Sequence, residues 1–266
     1  MKEIKLDELK TIQVDILQAV HDYCNTNGLK YSLCGGALIG AIRHKGFIPW
    51  DDDIDILMPR KDYMILCQHF NEQGGFYKLH SLYNNDKYDL PFAKIEDSRT
   101  IIDEYTNSTF QLGVSIDVFP YDNLCNSFEK SQEKEKKVAI WRTIYKGKLV
   151  KVTKRNSLAK KLGIYACKLI GCLFSTRRLA IIIDNISRKN ESDSAYVGDL
   201  VWGYGKKEIV KKEVFENLSL LPFENRFFNG FEAFDTYLRQ VYGDYMQLPP
   251  EEKRCSPHEI SGIYVK

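Results

Sequence analysis

One short run, Asp51-Asp52-Asp53-Ile54-Asp55, constrains this 266-residue chain more than any other part of it. On an extended strand, residues i and i+2 share a face. Asp53 and Asp55 then point one way, about 7 Å apart along the backbone, while Ile54 and Ile56 point the other way and anchor the strand in a core. Two ionised carboxylates held side by side repel unless a cation lies between them. Mg²⁺ suits such a pair, because it takes one or two carboxylates and completes its shell with water and substrate phosphates; Mn²⁺ is the natural substitute.

The residues around this run predict the fold class. Leu6, Leu9, Ile12, Ile16, Leu17, Val20 and Cys24 recur at steps of three and four, one face of a helix that Asn27-Gly28 ends. Leu29, Tyr31 and Leu33 alternate into Cys34-Gly35-Gly36, and a helix over 37–43 follows. Ile54 to Met58 suits a strand, and Pro59 opens a helix that Gly74-Gly75 stops. Strands are expected at 76–83, 92–95, 100–103 and 114–119, a helix-rich basic stretch from 127 to about 189, and a helix near 231–242. Helices alternating with strands at the start and strands in series later predict an α/β core with a mixed sheet flanked by helices, plus a basic helical insertion. The expected division is a catalytic core over 1–126, a basic helical segment over 127–195 and a C-terminal segment over 196–266 that packs on the core.

Two further pieces suit a phosphate-handling site. Gly35-Gly36 opens a helix, where glycine admits close backbone approach and a helix N-terminus offers N–H groups to phosphate. In Val114 to Phe119, Ser115 and Asp117 share one strand face, so Asp117 is the expected third carboxylate beside Asp53 and Asp55. A calcium loop is excluded. Asp51, Asp53, Asp55 and Asp62 fall at its positions one, three, five and twelve, but Ile56 stands where it needs glycine and Pro59 interrupts it. A glycosyltransferase Asp-x-Asp, which holds a metal on a nucleotide diphosphate, stays open on spacing alone.

Charge is balanced overall, 38 basic against 36 acidic residues, which argues against a dedicated nucleic-acid binder. The balance is polarised: residues 130–189 hold 17 Lys or Arg and 3 acidic residues, a local net of +14. Seven scattered cysteines with no CxxC pair predict reduced thiols and a cytoplasmic setting. MKEIKLDELK has no apolar core of a signal peptide, and the longest apolar stretch, 162–174, is too short to span a bilayer and contains Lys168.

The stretch YSLCGGALIGAIRHKGFIPWDDDIDILMPRKDY, from Tyr31 to Tyr63, closely resembles the LicD family of phosphocholine transferases. PFAKIEDSRT at 91–100, IDVFPYDN at 116–123 and YGDYMQLPP at 242–250 are similar to that family too, whereas 130–189 carries no motif of it. The motif style is shared with fukutin-related ribitol-phosphate transferases. The resemblance implies a nucleotidyltransferase-like fold and transfer of phosphocholine, or a related phospho-alcohol, from a CDP-activated donor such as CDP-choline. The acceptor implied is a sugar hydroxyl of a cell-envelope glycan (teichoic acid, lipopolysaccharide or capsule) or its lipid-linked precursor, with CMP leaving. The competing readings are a nucleotidyltransferase that releases pyrophosphate and an inactive nucleotide- or glycan-binding module.

Carried onto this chain, the resemblance gives Asp53, Asp55 and Asp117 as metal ligands and Gly35 and Gly36 as donor-phosphate contacts. Asp117 or Asp51 would take the acceptor's proton. Arg43 and Lys94 are the expected phosphate or substrate contacts, ahead of His44 and Lys45. Trp50 and Tyr31 are expected in the core rather than on the cytosine, and His258 outside the site. A choline head group calls for an aromatic cage. In the basic arm, Leu162, Ile164, Tyr165, Leu169, Ile170, Leu173 and Phe174 would line one side of a helix near Lys160, Lys161 and Lys168, suited to peripheral contact with an anionic membrane.

Overall fold

The computed structural model describes residues 2–104, 110–150, 157–189, 193–255 and 260–265. A two-residue strand, β1 (Lys2–Glu3), precedes the long helix α1 (Leu6–Asn27). Leu9, Ile16, Leu17, Val20 and Cys24 form its buried face, Leu6 stays exposed, and Gly28 ends it in left-handed backbone at φ 65°. Next come β2 (Ser32–Leu33), α2 (Gly35–Arg43), β3 (Asp55–Pro59), α3 (Arg60–His69), β4 (Tyr77–His80), β5 (Ala93–Asp97), β6 (Thr100–Glu104) and β7 (Ser115–Asn123). Three helices follow, α4 (Phe128–Leu149), α5 (Leu158–Gly171) and α6 (Thr176–Ser187). The chain continues through β8 (Tyr196–Gly198), β9 (Val210–Lys211), β10 (Leu218–Phe223), β11 (Arg226–Phe231), α7 (Phe234–Tyr242) and β12 (Ile260–Val265).

The central sheet runs β2-β3-β7-β5-β4 and is mixed: β3 and β7 are parallel, and the other pairs are antiparallel. The expected strand over 29–33 shortens to Ser32–Leu33, the two residues that pair with β3. β7 outruns its neighbours and carries β8, then β9, on its far end. Ile54, Ile56, Ile95, Ile116 and Val118 are fully buried on the sheet, and α1 packs against β5 and β7. The hairpin β10–β11 lies against β2 and α2, while β1, β12 and β6 form a separate small sheet.

The basic segment packs as a helical group, with α4 against both α5 and α6. Arg60, just after Pro59 at the start of α3, ties that group to the sheet. Its Nε and Nη2 each donate to Asp122 of β7 at 2.7 Å, and its Nη1 donates to Asp184 of α6 at 2.7 Å. Tyr83 completes the cluster through its hydroxyl, which donates to Asp184.

Candidate active site

Pairing across the central sheet brings four side chains into one row. Asp55 on β3 is opposite Asp117 on β7, Asp117 is opposite Lys94 on β5, and Lys94 is opposite His80 on β4. Directly paired residues on neighbouring strands, about 4.8 Å apart, point to the same face. Lys94 Nζ donates to Asp117 Oδ1 at 2.5 Å. His80 Nε2 is 2.8 Å from Glu96 Oε1.

Asp53 lies just before β3, so it is loop rather than strand, but Ile54 remains fully buried and the in–out alternation holds. Carboxylate oxygens of Asp51, Asp52 and Asp53 lie within 4.8 Å of one another. This loop is tied down from behind. Gln13, a buried polar residue on α1, donates through Nε2 to the Asp52 carbonyl at 2.9 Å and to the Ser115 carbonyl at 3.2 Å. It thereby clamps the starts of the two acidic strands together.

The two glycines are pressed directly against these carboxylates. A Cβ on Gly35, whose φ is 56°, would come within 2.9 Å of Asp55 Oδ2, and a Cβ on Gly36 would overlap Asp51 Oδ2. Any side chain here would displace the acidic groups or be displaced by them. Both glycines open α2, so the backbone N–H groups of that helix start lie beside the carboxylates. The segment between helix and acidic loop is architectural: Phe47 N donates to Glu224 Oε1 at 3.0 Å, and Glu224 N donates to the Lys45 carbonyl at 2.7 Å.

Asp55 titrates well above the ordinary carboxylate range. Burial contributes most, then repulsion from Asp53 and Asp117; Lys94 opposes the shift, and Asp51 adds to it. A carboxylate still pushed upward with a lysine close by sits in an under-compensated acidic cluster. The donor set is all oxygen, and the two glycines let the start of α2 come directly against the carboxylates. These residues fit a hard divalent cation such as Mg²⁺.

The loop after β8 contributes Tyr204, which the sequence did not single out, beside Tyr242 at the end of α7. Tyr204 is exposed, and its ring meets Tyr242 edge-on at a centroid distance of 5.5 Å. Burial raises both hydroxyls' pKa, and Asp55 adds to each shift, so the pair borders the acidic cluster. The loop rests on two buried carboxyls. Burial, then Asp199, raises Glu208 to about 8, and burial raises Asp199 to about 6. Asp199 Oδ1 accepts from the Val201 and Trp202 N–H groups at 2.9 and 3.1 Å. Tyr88 adds a buried hydroxyl without a hydrogen-bond partner among the described residues; its pKa is raised by burial first and by Asp117 next.

Other expected contacts fall elsewhere or serve packing. Arg43 ends α2, about 12 Å along the axis from Gly35 at 1.5 Å per residue. Its guanidinium donates to the Tyr245 carbonyl at 2.6 Å and to His44 Nε2 at 2.8 Å. Lys45 donates to the Ile42 carbonyl at 3.2 Å. Tyr31 is buried with its hydroxyl 2.6 Å from His21 Nδ1, and Trp50 packs edge-on to His44 with the Arg254 guanidinium over its ring. His258 lies outside the described residues.

Fold and site together define an α/β protein with a mixed sheet flanked by helices, its acidic strand ends facing a glycine-started helix. Residues 28–152 match the family model for the LicD/FKTN/FKRP nucleotidyltransferase domain. Over 277 aligned positions, covering 100% of both chains, the sequence is 33% identical to the lipopolysaccharide cholinephosphotransferase LicD of Haemophilus influenzae. Uncharacterised proteins of Rickettsia typhi and Rickettsia prowazekii match shorter pieces. They are 30% and 31% identical over 87 and 88 residues, covering 31% and 32% of this chain and 28% and 33% of theirs. This chain belongs to the LicD family.

Proposed function

We propose that the protein is a cation-dependent transferase that moves phosphocholine, or a close phospho-alcohol, from a CDP-activated donor to a sugar hydroxyl of lipopolysaccharide or a related envelope glycan. The full-length similarity to the Haemophilus cholinephosphotransferase supports the class of reaction. The observation that carries the reading is the acidic row itself, Asp55 beside Asp117 in parallel register, with Gly35 against Asp55 and Gly36 against Asp51.

Asp53, Asp55 and Asp117 would hold the cation, which when bound supplies positive charge to offset that of the donor phosphates. The N–H groups at the start of α2 and the Lys94 ammonium, positioned by its bond to Asp117, would orient the phosphate oxygens. The acceptor hydroxyl oxygen attacks the phosphorus that bears the alcohol, the bond from that phosphorus to the CMP oxygen breaks, and CMP leaves. Asp117 or Asp51 would take the hydroxyl proton. Positioning and electrostatics dominate such transfers. Tyr204 and Tyr242 are suited to a quaternary ammonium, whose charge favours aromatic faces. A CDP-alcohol donor fits a protein working on the cytoplasmic side.

The test incubates the protein with Mg²⁺, envelope glycan and, separately, CDP-choline, CDP-ribitol, CDP-glycerol or CTP. CMP release that requires both CDP-choline and glycan is the expected result. Pyrophosphate release from CTP would instead identify a nucleotidyltransferase, and no turnover with any donor would favour a binding module.

A further inference from the structure

The helix α5 is turned inside out relative to a helix on an ordinary soluble surface. Leu162, Tyr165 and Leu169, spaced by three and four, form one stripe that Leu173, just past the end of the helix, continues, and their exposures are 70%, 57%, 75% and 77%. Ile170 beside them is 44% exposed. The opposite side of the helix is the packed one. Ile164 and Gly171 are buried, and Gly147 of α4 approaches so closely that a Cβ there would overlap Cys167 Cβ. Lys148 of α4 fastens the end of α5 by donating to the Gly171 carbonyl at 2.8 Å and to the Phe174 carbonyl at 2.5 Å. The expected one-sided apolar set therefore splits. Ile164 turns inward and Phe174 packs edge-on to Trp141, while the leucines face solvent.

A contiguous row of exposed leucines on a rigidly docked helix marks an interaction surface. Charge selects the occupant. Lys161 and Lys168 flank the stripe, Lys160 lies exposed at the start of the helix, and the segment 130–189 has a net charge of +14. A second copy would bring an equally basic surface against this one. An anionic bilayer instead matches both halves of the pattern, with leucines entering the acyl boundary and lysine stems reaching back to lipid phosphates. Among the described residues no helix is long and apolar enough to cross a membrane, so contact through α5 is in the plane of the surface. We propose that α5 docks the protein on an anionic membrane surface through Leu162, Tyr165, Leu169 and Leu173, with the flanking lysines on the headgroups.

Flotation of the full-length protein with vesicles tests this without reference to catalysis. Wild-type protein should float with vesicles rich in phosphatidylglycerol and remain below with phosphatidylcholine alone. The triple variant Leu162→Gln, Leu169→Gln, Leu173→Gln should lose at least about tenfold in partitioning, since each leucine removed from the acyl boundary forfeits much of its transfer free energy. Replacing Lys160, Lys161 and Lys168 by Gln should weaken recovery and blunt its salt dependence. These positions lie on the surface, and circular dichroism of both variants should match wild type. Equal recovery of wild type and both variants would overturn the proposal. So would equal binding to the two vesicle types, or a wild-type dimer that the leucine variant converts to monomer.

Discussion

The molecule holds one carboxylate cluster at each end of β7, and they are managed in opposite ways. Asp122 at the end of β7 and Asp184 on α6 are 2% and 5% exposed and share the guanidinium of Arg60 at the start of α3, with three bonds of 2.7 Å. Arg60 titrates well above its ordinary value despite burial, because both carboxylates hold its proton. At the start of β7 and β3, Asp51, Asp52 and Asp53 cluster beside Asp55 and the Lys94-bonded Asp117, and Asp55 is still driven upward. Arg188 Nε lies 3.8 Å from Asp184 Oδ2, so two guanidiniums meet two carboxylates, and this first cluster serves as a joint between the sheet and the basic helices. The second, in the function proposed above, takes its balancing charge from a bound cation. Asp199 and Glu208 show a third solution, in which burial holds carboxyl protons to higher pH, to about 6 and about 8.

Breaking the Arg60 cluster should have the largest effect. Arg60→Ala strips Asp122 of its guanidinium and leaves Asp184 only the more distant guanidinium of Arg188, and should cost about 3–5 kcal/mol of stability, read from urea denaturation, while the activity of the folded fraction persists. In the acidic row the pattern should invert. Asp55→Asn relieves repulsion, so its melting temperature should hold or rise, yet turnover should fall about a hundredfold to a thousandfold, the usual loss when one group of a charge-stabilising site is removed.

The Glu208–Asp199 pair sharpens the contrast through pH. Folded Glu208 and Asp199 keep protons that the unfolded chain releases near pH 4. With raised folded-state values, stability is greatest at low pH as far as these groups are concerned. It falls as pH rises from about 4 toward 8, and it levels off above. Glu208→Gln should flatten the upper part of that fall, between about 6 and 8, in melts recorded across pH. The smallest effect belongs to Tyr204→Ala, which should raise KM for CDP-choline by roughly 2- to 30-fold, the range of one cation–π contact, and leave a ribitol or glycerol donor nearly unchanged.

Much of this was legible along the chain wherever a short period carried it. The two-residue period put Asp53 and Asp55 opposite Ile54, and Ser115 and Asp117 opposite Val114 and Ile116, before any pairing was known. The parallel register that seats Asp55 against Asp117, and the bond from Lys94 to Asp117, are non-local and follow only from the sheet. Gln13 was invisible because it interrupts an apolar helix face as a lone polar residue, and its carbonyl partners lie 39 and 102 positions away. Arg43 follows the glycine helix in sequence, but nine residues of helix carry it to the far end, where it serves the Tyr245 carbonyl. Part of the basic arm also bonds backbone carbonyls rather than facing solvent: Arg177 donates to those of Leu82, Asn85 and Tyr88, and Lys134 to that of Asn123. For α5 the spacing gave the apolar stripe, but only packing on α4 decided that the leucines face outward.

The central claim is that the acidic row is built for a divalent cation, whereas the Arg60 cluster is not. Calorimetric titration of Mg²⁺ or Mn²⁺ into wild type, Asp55→Asn and Asp122→Asn, each with CDP-choline present, tests it most directly. Saturable binding in wild type that is lost in Asp55→Asn and kept by folded Asp122→Asn is the predicted result. Undiminished binding in Asp55→Asn, or full CMP release by wild type in the presence of a chelator, would contradict it.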